Sequence, residues 1–384
     1  MNFEFASAAR IIFGRGKFSE VAQIAHSFGD SVLVVTGKSI KRAQPLLNLL
    51  EAEGLNKTLF SINGEPTIQE VRTGVERARA GRCEVVIGFG GGSAIDCAKA
   101  IAAMLANSGD VLDYLEVIGQ GKAIEYRAIP YIAVPTTAGA GAEVTKNAVL
   151  ASPEHKVKAS LRSPLILARV ALIDPELTLN LPRAVTAATG LDALTQLIEP
   201  FTCCRTNPLV DSLCREAIPR VVRSLRRACE NGSDLAARED MALASLFGGL
   251  ALANSGLGAV HGFAAPIGGR FPAPHGAVCA ALLPHVMETN LRALRQRYEE
   301  SETIGRYEEI ARLLTGDDSA KAEDGVAWVA QLVKDLQIPG LGTYGLMPTD
   351  VAELVRNAAK ASSMKANPLP LTEAELTTIL DSAL

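Results

Sequence analysis

Apolar positions in the first 180 residues fall into short β-branched runs, separated by stretches with apolar residues at three- and four-residue steps. The runs are Val32–Val35, Leu59–Ile62, Val85–Ile87, Tyr131–Val134 and Ala171–Ile173, and between them Lys41–Glu53, Ile68–Ala80 and Ala94–Ala106 carry the helical period. This alternation predicts a parallel sheet covered by helices. Asp174 and Pro175 close the last strand. Beyond Pro182 strand-like runs all but vanish, and 182–230, 234–260, 278–315, 321–337 and 349–384 read as helices. The expected architecture is an α/β parallel-sheet domain over residues 1–180 followed by an all-α domain over 181–384.

The run 241–260 is long enough for a membrane span, but Asn254 and its serines and glycines make it a poor lipid-facing helix. A helix apolar on all sides also suits the centre of a large helical domain, which is the reading taken here. A length of 384 residues fits two domains. The net charge of −4 gives no basic field for nucleic acid. Arg220, Arg223, Arg226 and Arg227 recur at helical spacing beside Glu216 and Glu230 and read as a solvated face. Seven cysteines without a C-x-x-C argue for a reducing compartment, with the adjacent Cys203 and Cys204 as half-buried thiols. The acidic N-terminus lacks the basic and apolar regions of a signal peptide, so a soluble cytoplasmic protein is expected, with no membrane or nucleic-acid partner.

Candidate chemistry begins after the third run, in GFGGGSAIDCAKAIAAML (88–105). Gly90, Gly91 and Gly92 remove every Cβ at a strand-to-helix turn, Ser93 is a natural N-cap, and the helix turns its positive end toward whatever lies there. That arrangement stabilises a pyrophosphate, although a tight structural turn would use the same glycines. Asp96 points aside and pairs with Lys99 at i, i+3. A second loop, PTTAGAGAEVT (135–145), follows the next strand and offers the hydroxyls of Thr136 and Thr137 at the same carboxyl edge of the sheet. Where dinucleotide folds place an acidic residue on the ribose, this chain has Gly37, Lys38 and Ser39, followed by Lys41 and Arg42. With no carboxylate to repel a 2′-phosphate, NADP is expected to serve at least as well as NAD.

Two of the chain's five histidines, His261 and His275, lie in GAVHGFAAPIGGRFPAPHG (258–276), which is otherwise small, apolar and glycine-rich. Each ring nitrogen there needs a partner. On spacing alone, a pair of core histidines bonded to backbone carbonyls is the better reading. Upstream, in GLDALTQLIEPF (190–201), Asp192 and Gln196 share a helix face that turns inward. A buried carboxylate is costly unless paired or metal-bound, though a bond to a neighbouring amide would also satisfy it. Asp192, Gln196, His261 and His275 together supply two oxygens and two nitrogens, a set suited to a divalent metal such as Fe2+ or Zn2+.

GFGGGSAIDCAK, PTTAGAGAEVT, GLDALT, HGFAAPIGG and PHG, in this order, resemble the group III or iron-containing alcohol dehydrogenase family, and the likeness runs from residue 3 to NPLPLT near the C-terminus. The resemblance implies an N-terminal Rossmann-like nucleotide domain, a helical C-terminal domain in a dehydroquinate synthase-like architecture, and an active site in the cleft between them. It puts the pyrophosphate on Gly90 to Ser93 and the cofactor beside Thr136 and Thr137. It also matches Lys158 to a lysine near the nicotinamide ribose. The chain departs from the family at Gln196, which stands where a ligating histidine is usual. Ala140 and Ala142 remove two hydroxyls, and Ala265 removes a histidine that would relay protons.

The implied activity is metal-dependent hydride transfer between NAD(P) and a small primary alcohol or aldehyde. No further side chain stands out as the proton donor; water, a ribose hydroxyl or His155 are candidates. Phe201, Phe247 and Phe271 are candidate pocket residues, each of which could equally serve core packing. A homodimer is expected, through pairing of the N-terminal strand FEFASAARIIF (3–13). Two alternatives remain open at this point: a metal-independent reductase in the manner of maleylacetate reductases, and a nucleotide-binding protein with impaired catalysis.

Overall fold

The structure, a computed structural model, describes residues 2–155 and 157–384. The chain divides into two compact units: one of Phe5–Thr137 and Gly141–Leu179, the other of Asn180–Leu384 with Ala138–Ala140 and the first residues up to Glu4.

The first unit is the α/β one that the alternating pattern predicts. Its elements are β1 (Ile11–Phe13), α1 (Val21–His26), β2 (Ser31–Thr36), α2 (Ile40–Ala52), β3 (Asn56–Ser61), α3 (Ile68–Ala80), β4 (Val85–Gly90), α4 (Gly92–Ala106), α5 (Val111–Tyr114), β5 (Tyr131–Pro135), β6 (Asn147–Ser152), β7 (Val157–Arg162) and β8 (Val170–Ile173). Six strands form one sheet in the order β1-β8-β5-β4-β2-β3, and each pairing in it is parallel. β6 and β7 form an antiparallel hairpin of their own. The buried runs Val32–Val35 and Val85–Ile87 are apolar on both faces of the sheet, as strands covered by helices on each side must be. The chain winds from β2 outward to β3, then returns past β2 to lay down β4. The order therefore reverses between β2 and β4, and in such sheets the crevice at the carboxyl ends of those strands is where ligands bind.

The second unit is helical: α6 (Arg183–Thr202), α7 (Pro208–Glu230), α8 (Leu235–Asn254), α9 (Ala259–Arg270), α10 (His275–Arg297), α11 (Glu302–Thr315), α12 (Ala322–Asp335), α13 (Val351–Ala358) and α14 (Glu373–Ala383). Several stretches that read as continuous helix are broken by local chemistry. Asn207 caps α7 by accepting from the Val210 amide, with Pro208 at the first helical position, which ends 182–230 as a single helix. Gly256 and Gly258 separate α8 from α9, and the two helices are bent by 97°. No single helix among the described residues is long and apolar enough to cross a membrane. The core of this unit is continuous, and α6 runs through it with every residue from Gly190 to Thr202 buried.

The arginine face is more than solvated, because Arg220 and Arg223 both reach Asp240, Arg226 reaches Asp335 and Arg227 reaches Asp234. Cys203 is buried and Cys204 exposed, rather than both being half-buried. Phe201 is a core residue with Arg215 and Arg306 stacked over its ring, whereas Phe247 and Phe271 are partly buried against the core.

Candidate metal centre

The loops that follow the adjacent strands β2, β4 and β5 place Gly37, Gly90–Ser93 and Thr136–Thr137 side by side at one edge of the sheet. A Cβ on Gly90 would lie 2.8 Å from that of Ala94, so the turn from β4 into α4 requires a glycine there, and Gly91 lies in contact range of Thr137 in the neighbouring loop. Ser93 was expected to cap α4, but the cap falls two residues earlier, at Gly91, whose extended backbone lets the helix start at Gly92. No side chain caps α4, so its first amides are open to an anion. Lys38 and Ser39 are exposed beside Gly37, at which an added Cβ would meet nothing within 4 Å.

Asp96 and Lys99 pair as expected, at 3.2 Å, and they do more. Lys99 is fully buried and donates to the carbonyls of Ala142 and Asn147 and to the Thr145 hydroxyl, while Asp96 Oδ2 accepts from the Val149 amide. The pair thereby ties the second loop to the helix that carries the first. Glu143, buried in that loop, is pushed up to about 7 by burial, against its own backbone hydrogen bond and Lys99. Lys158 lies on β7 with its side chain 5% exposed and 3.2 Å from Glu65 Oε1, so a carboxylate already partners it. His155 is engaged with the Ser152 hydroxyl at 2.8 Å in the turn of the β6–β7 hairpin.

In the helical unit, three of the four expected metal donors converge. Asp192 comes from the middle of α6, His261 from the first turn of α9 and His275 from the start of α10. Asp192 Oδ1 lies 3.6 Å from His261 Nε2 and 3.7 Å from His275 Nε2, too far for a hydrogen bond to either. Both Asp192 Oδ1 and Gln196 Oε1 are buried without any hydrogen-bond partner. Gln196 follows Asp192 by one turn and packs against Gly248 of α8, where an added Cβ would come within 3.5 Å of the amide oxygen. A buried acceptor left unpaired costs about 1–3 kcal/mol, and a cation between α6 and the two imidazoles would satisfy Asp192.

Two further residues complete the site, and the sequence reading missed both. Glu199 Oε2 accepts from His261 Nδ1 at 2.6 Å, and its Oε1 accepts from the Val260 amide at 2.7 Å. A carboxylate can only accept, so the Nδ1 proton is fixed and the Nε2 lone pair is left to face Asp192. This carboxylate–histidine arrangement is the one that orients ligating imidazoles. Glu199 follows Asp192 by seven residues on the same helix, a two-turn spacing that could have identified it. Cys279, four residues after His275 on α10, has its Sγ 3.8 Å from His261 Nε2 and 3.7 Å from His275 Nε2. Asp192, His261, His275 and Cys279 each offer one atom, and all four atoms lie within 4.8 Å of one another.

The electrostatics suit a cation. Burial works against a charge on His261, yet Cys279, Glu199 and Asp192 hold its pKa well above 6.5. His275, with its side chain 37% exposed, is pushed up to about 9 by Cys279 and, against burial, by Asp192. Burial alone would raise Asp192, but His275 and His261 keep it below its usual 3.8. The negative field that draws protons to these imidazoles would draw a dication in their place. The described residues thus fit a divalent metal.

Comparison with known proteins accounts for the whole chain. The profile of the iron-containing alcohol dehydrogenase family matches residues 8–175, and that of the C-terminal region of the Fe-containing alcohol dehydrogenase family matches residues 186–384. Long-chain-alcohol dehydrogenase 1 of Geobacillus thermodenitrificans is 35% identical over 98% of this chain and 97% of its own length. Among solved structures, a 1,3-propanediol oxidoreductase superposes with a TM-score of 0.93 at 33% identity, covering all of both chains. The sulfoacetaldehyde reductase of Bifidobacterium kashiwanohense, solved with NAD+, gives a TM-score of 0.87 at 30% identity over 100% of this chain and 99% of its own.

Proposed function

Since the chain belongs to the iron-containing alcohol dehydrogenase family and is an alcohol oxidoreductase, we propose that its metal is held by Asp192, His261 and His275, with Gln196 as a weaker fourth donor. The single observation that carries this reading is the convergence of three donors from three helices around a buried Asp192 oxygen that has no partner. When bound, Fe2+ or Zn2+ supplies Lewis acidity to the oxygen of a small primary alcohol or aldehyde. Glu199 contributes by holding the Nδ1 proton of His261 and, through Val260, the first turn of α9. Asp192, Glu199 and His261 are buried, and the low dielectric around them strengthens these contacts.

The coenzyme, NADP or NAD, accepts or supplies the hydride. Gly90, Gly91, Gly92 and Ser93 take its pyrophosphate at the uncapped start of α4, and Thr136 and Thr137 offer hydroxyls beside it. Gly37, Lys38 and Ser39 leave room for a 2′-phosphate, so NADP is used at least as well as NAD. Lys158 is assigned to the cofactor as well; its side chain is buried and paired with Glu65 at 3.2 Å, so a ribose hydroxyl would have to take the place of that carboxylate. In this reading residues 1–180 bind the nucleotide and residues 181–384 the metal.

The protein is further proposed to be cytoplasmic, consistent with its seven free cysteines, and homodimeric. The exposed Phe3, Phe5 and Ile11, around edge strand β1, support the dimer. The test is one metal determination on protein purified without chelator, joined to an alcohol and aldehyde panel run with NADPH and NADH. Full activity with under about one-tenth equivalent of metal would show a metal-independent reductase instead. Better turnover with NADH at matched concentrations would remove the NADP assignment.

A further inference from the structure

Resting on the metal reading above, we propose that Cys279, in place of Gln196, is itself a ligand of this metal, making the protein donor set Asp192, His261, His275 and a thiolate, to which a substrate oxygen would add as a fifth ligand. The geometry can be checked against a tetrahedral site. With metal–nitrogen and metal–oxygen bonds of about 2.0–2.1 Å and a metal–sulfur bond of about 2.3 Å, tetrahedral donors stand about 3.4 Å apart for nitrogen–oxygen pairs and about 3.6 Å for nitrogen–sulfur pairs. The separations here are 3.6 and 3.7 Å from Asp192 Oδ1 to the two imidazoles and 3.8 and 3.7 Å from Cys279 Sγ to the same two nitrogens. All four exceed the tetrahedral edge by only a few tenths of an ångström, which is within the reach of small side-chain rotations.

Charge and chemistry point the same way. Gln196 offers a neutral oxygen, whereas a thiolate beside Asp192 supplies a second negatively charged donor to a dication, with Glu199 acting only through His261. Cys279 is buried, and the site groups near it are the two imidazoles and Asp192. Its position on α10, one turn after His275, gives the two donors a shared helix face, so the element that positions one positions the other. Ligation is a coordination step without electron transfer: the thiol releases its proton to solvent and the sulfur lone pair passes to the metal. The consequence is a softer set than one built only from nitrogen and oxygen, and it favours Zn2+ over Fe2+.

The experiment is cobalt substitution of the full-length apoprotein, read by absorption spectroscopy. Cobalt bound to the wild-type protein is expected to show a near-ultraviolet thiolate-to-cobalt charge-transfer band together with intense visible bands of a four-coordinate ion. Cys279→Ser is expected to lose the charge-transfer band while Cys204→Ser, at an exposed cysteine, retains it. Chelator competition is expected to show Zn2+ affinity falling in Cys279→Ser by more than the roughly 10–100-fold typical of changing a residue that only orients a ligand. Cys279→Ala, which carries no donor at all, guards against residual ligation by the serine hydroxyl. Cobalt bound with visible bands but no charge-transfer band in the wild type would overturn the thiolate while leaving the metal site standing. Failure of the folded protein to bind cobalt or zinc at all would overturn the metal reading itself.

Discussion

Glu199 shows how much one side chain can decide at this site. It fixes the tautomer of His261 with one oxygen and the start of α9 with the other. Glu199→Gln presents an amide nitrogen or oxygen where two acceptors are needed, and metal affinity is expected to fall roughly 10–100-fold by chelator competition. Unchanged affinity would mean that the imidazole is oriented by other contacts. Glu143, in the loop after β5, is buried and pushed up to about 7 from 4.5 by that burial. A raised carboxylate favours the folded state fully below about pH 4.5, and that contribution is lost as pH rises through 7, about 3 kcal/mol in all. Glu143→Gln is therefore expected to raise the melting temperature relative to wild type more at pH 8 than at pH 4.5; an equal effect at both would remove the assignment. At this scale the sequence made Asp192, His261 and His275 conspicuous, because polar residues in apolar, glycine-rich surroundings stand out. Glu199 and Cys279 were hidden for opposite reasons: a glutamate at the end of a long helix reads as surface, and one cysteine among seven in an apolar run reads as core.

At the scale of elements, the pattern of apolar positions marked the five longer strands of the parallel sheet and most of the helices, and what it missed was the β6–β7 hairpin, the glycine-rich helix α9 and where long helical stretches break. Periodicity continues across Asn207-Pro208 and across Gly256–Gly258, and only capping geometry ends the helices there. Ser93 failed as a cap for a related reason, since two glycines let α4 begin before the serine is reached. Gly258 has a further duty, because a Cβ there would lie 2.8 Å from Glu199 Oε1 and 2.9 Å from Asn367 Oδ1, the two acceptors that receive the first amides of α9. The joint between α4 and the loop after β5 rests on Lys99 and Asp96. Lys99→Met removes three hydrogen bonds and leaves Asp96 largely buried without its cation, and denaturant unfolding is expected to show a loss of about 3–5 kcal/mol. Adding Asp96→Asn to that variant is expected to restore part of the loss; a strictly additive double mutant would show that the two do not act as a pair.

For the whole molecule, the division of labour follows the two compact units. Every converging metal donor comes from residues 192–279, whereas Gly90–Ser93 and Thr136–Thr137 belong to the unit built on the parallel sheet, with only Ala138–Ala140 of the second loop grouped with the helices. Removing the metal is accordingly expected to speed amide exchange most in the first turns of α9 and α10, measured by mass spectrometry against the reconstituted protein. Uniform change along the chain would contradict that localisation.

The spread of the donors along the chain also sets when the site can exist. His261 and Glu199 are 62 residues apart, and Cys279 comes later still. During synthesis α6 emerges with its carboxylates long before His261 or His275 is available to meet them, so the ion is not expected to nucleate the helical unit as it does in small zinc-folded domains. Loading is therefore expected to be a late event, on a scaffold that already holds its shape. Protein made in metal-starved cells is expected to fold normally and to accept zinc or iron afterwards to the same stoichiometry as protein made in replete medium.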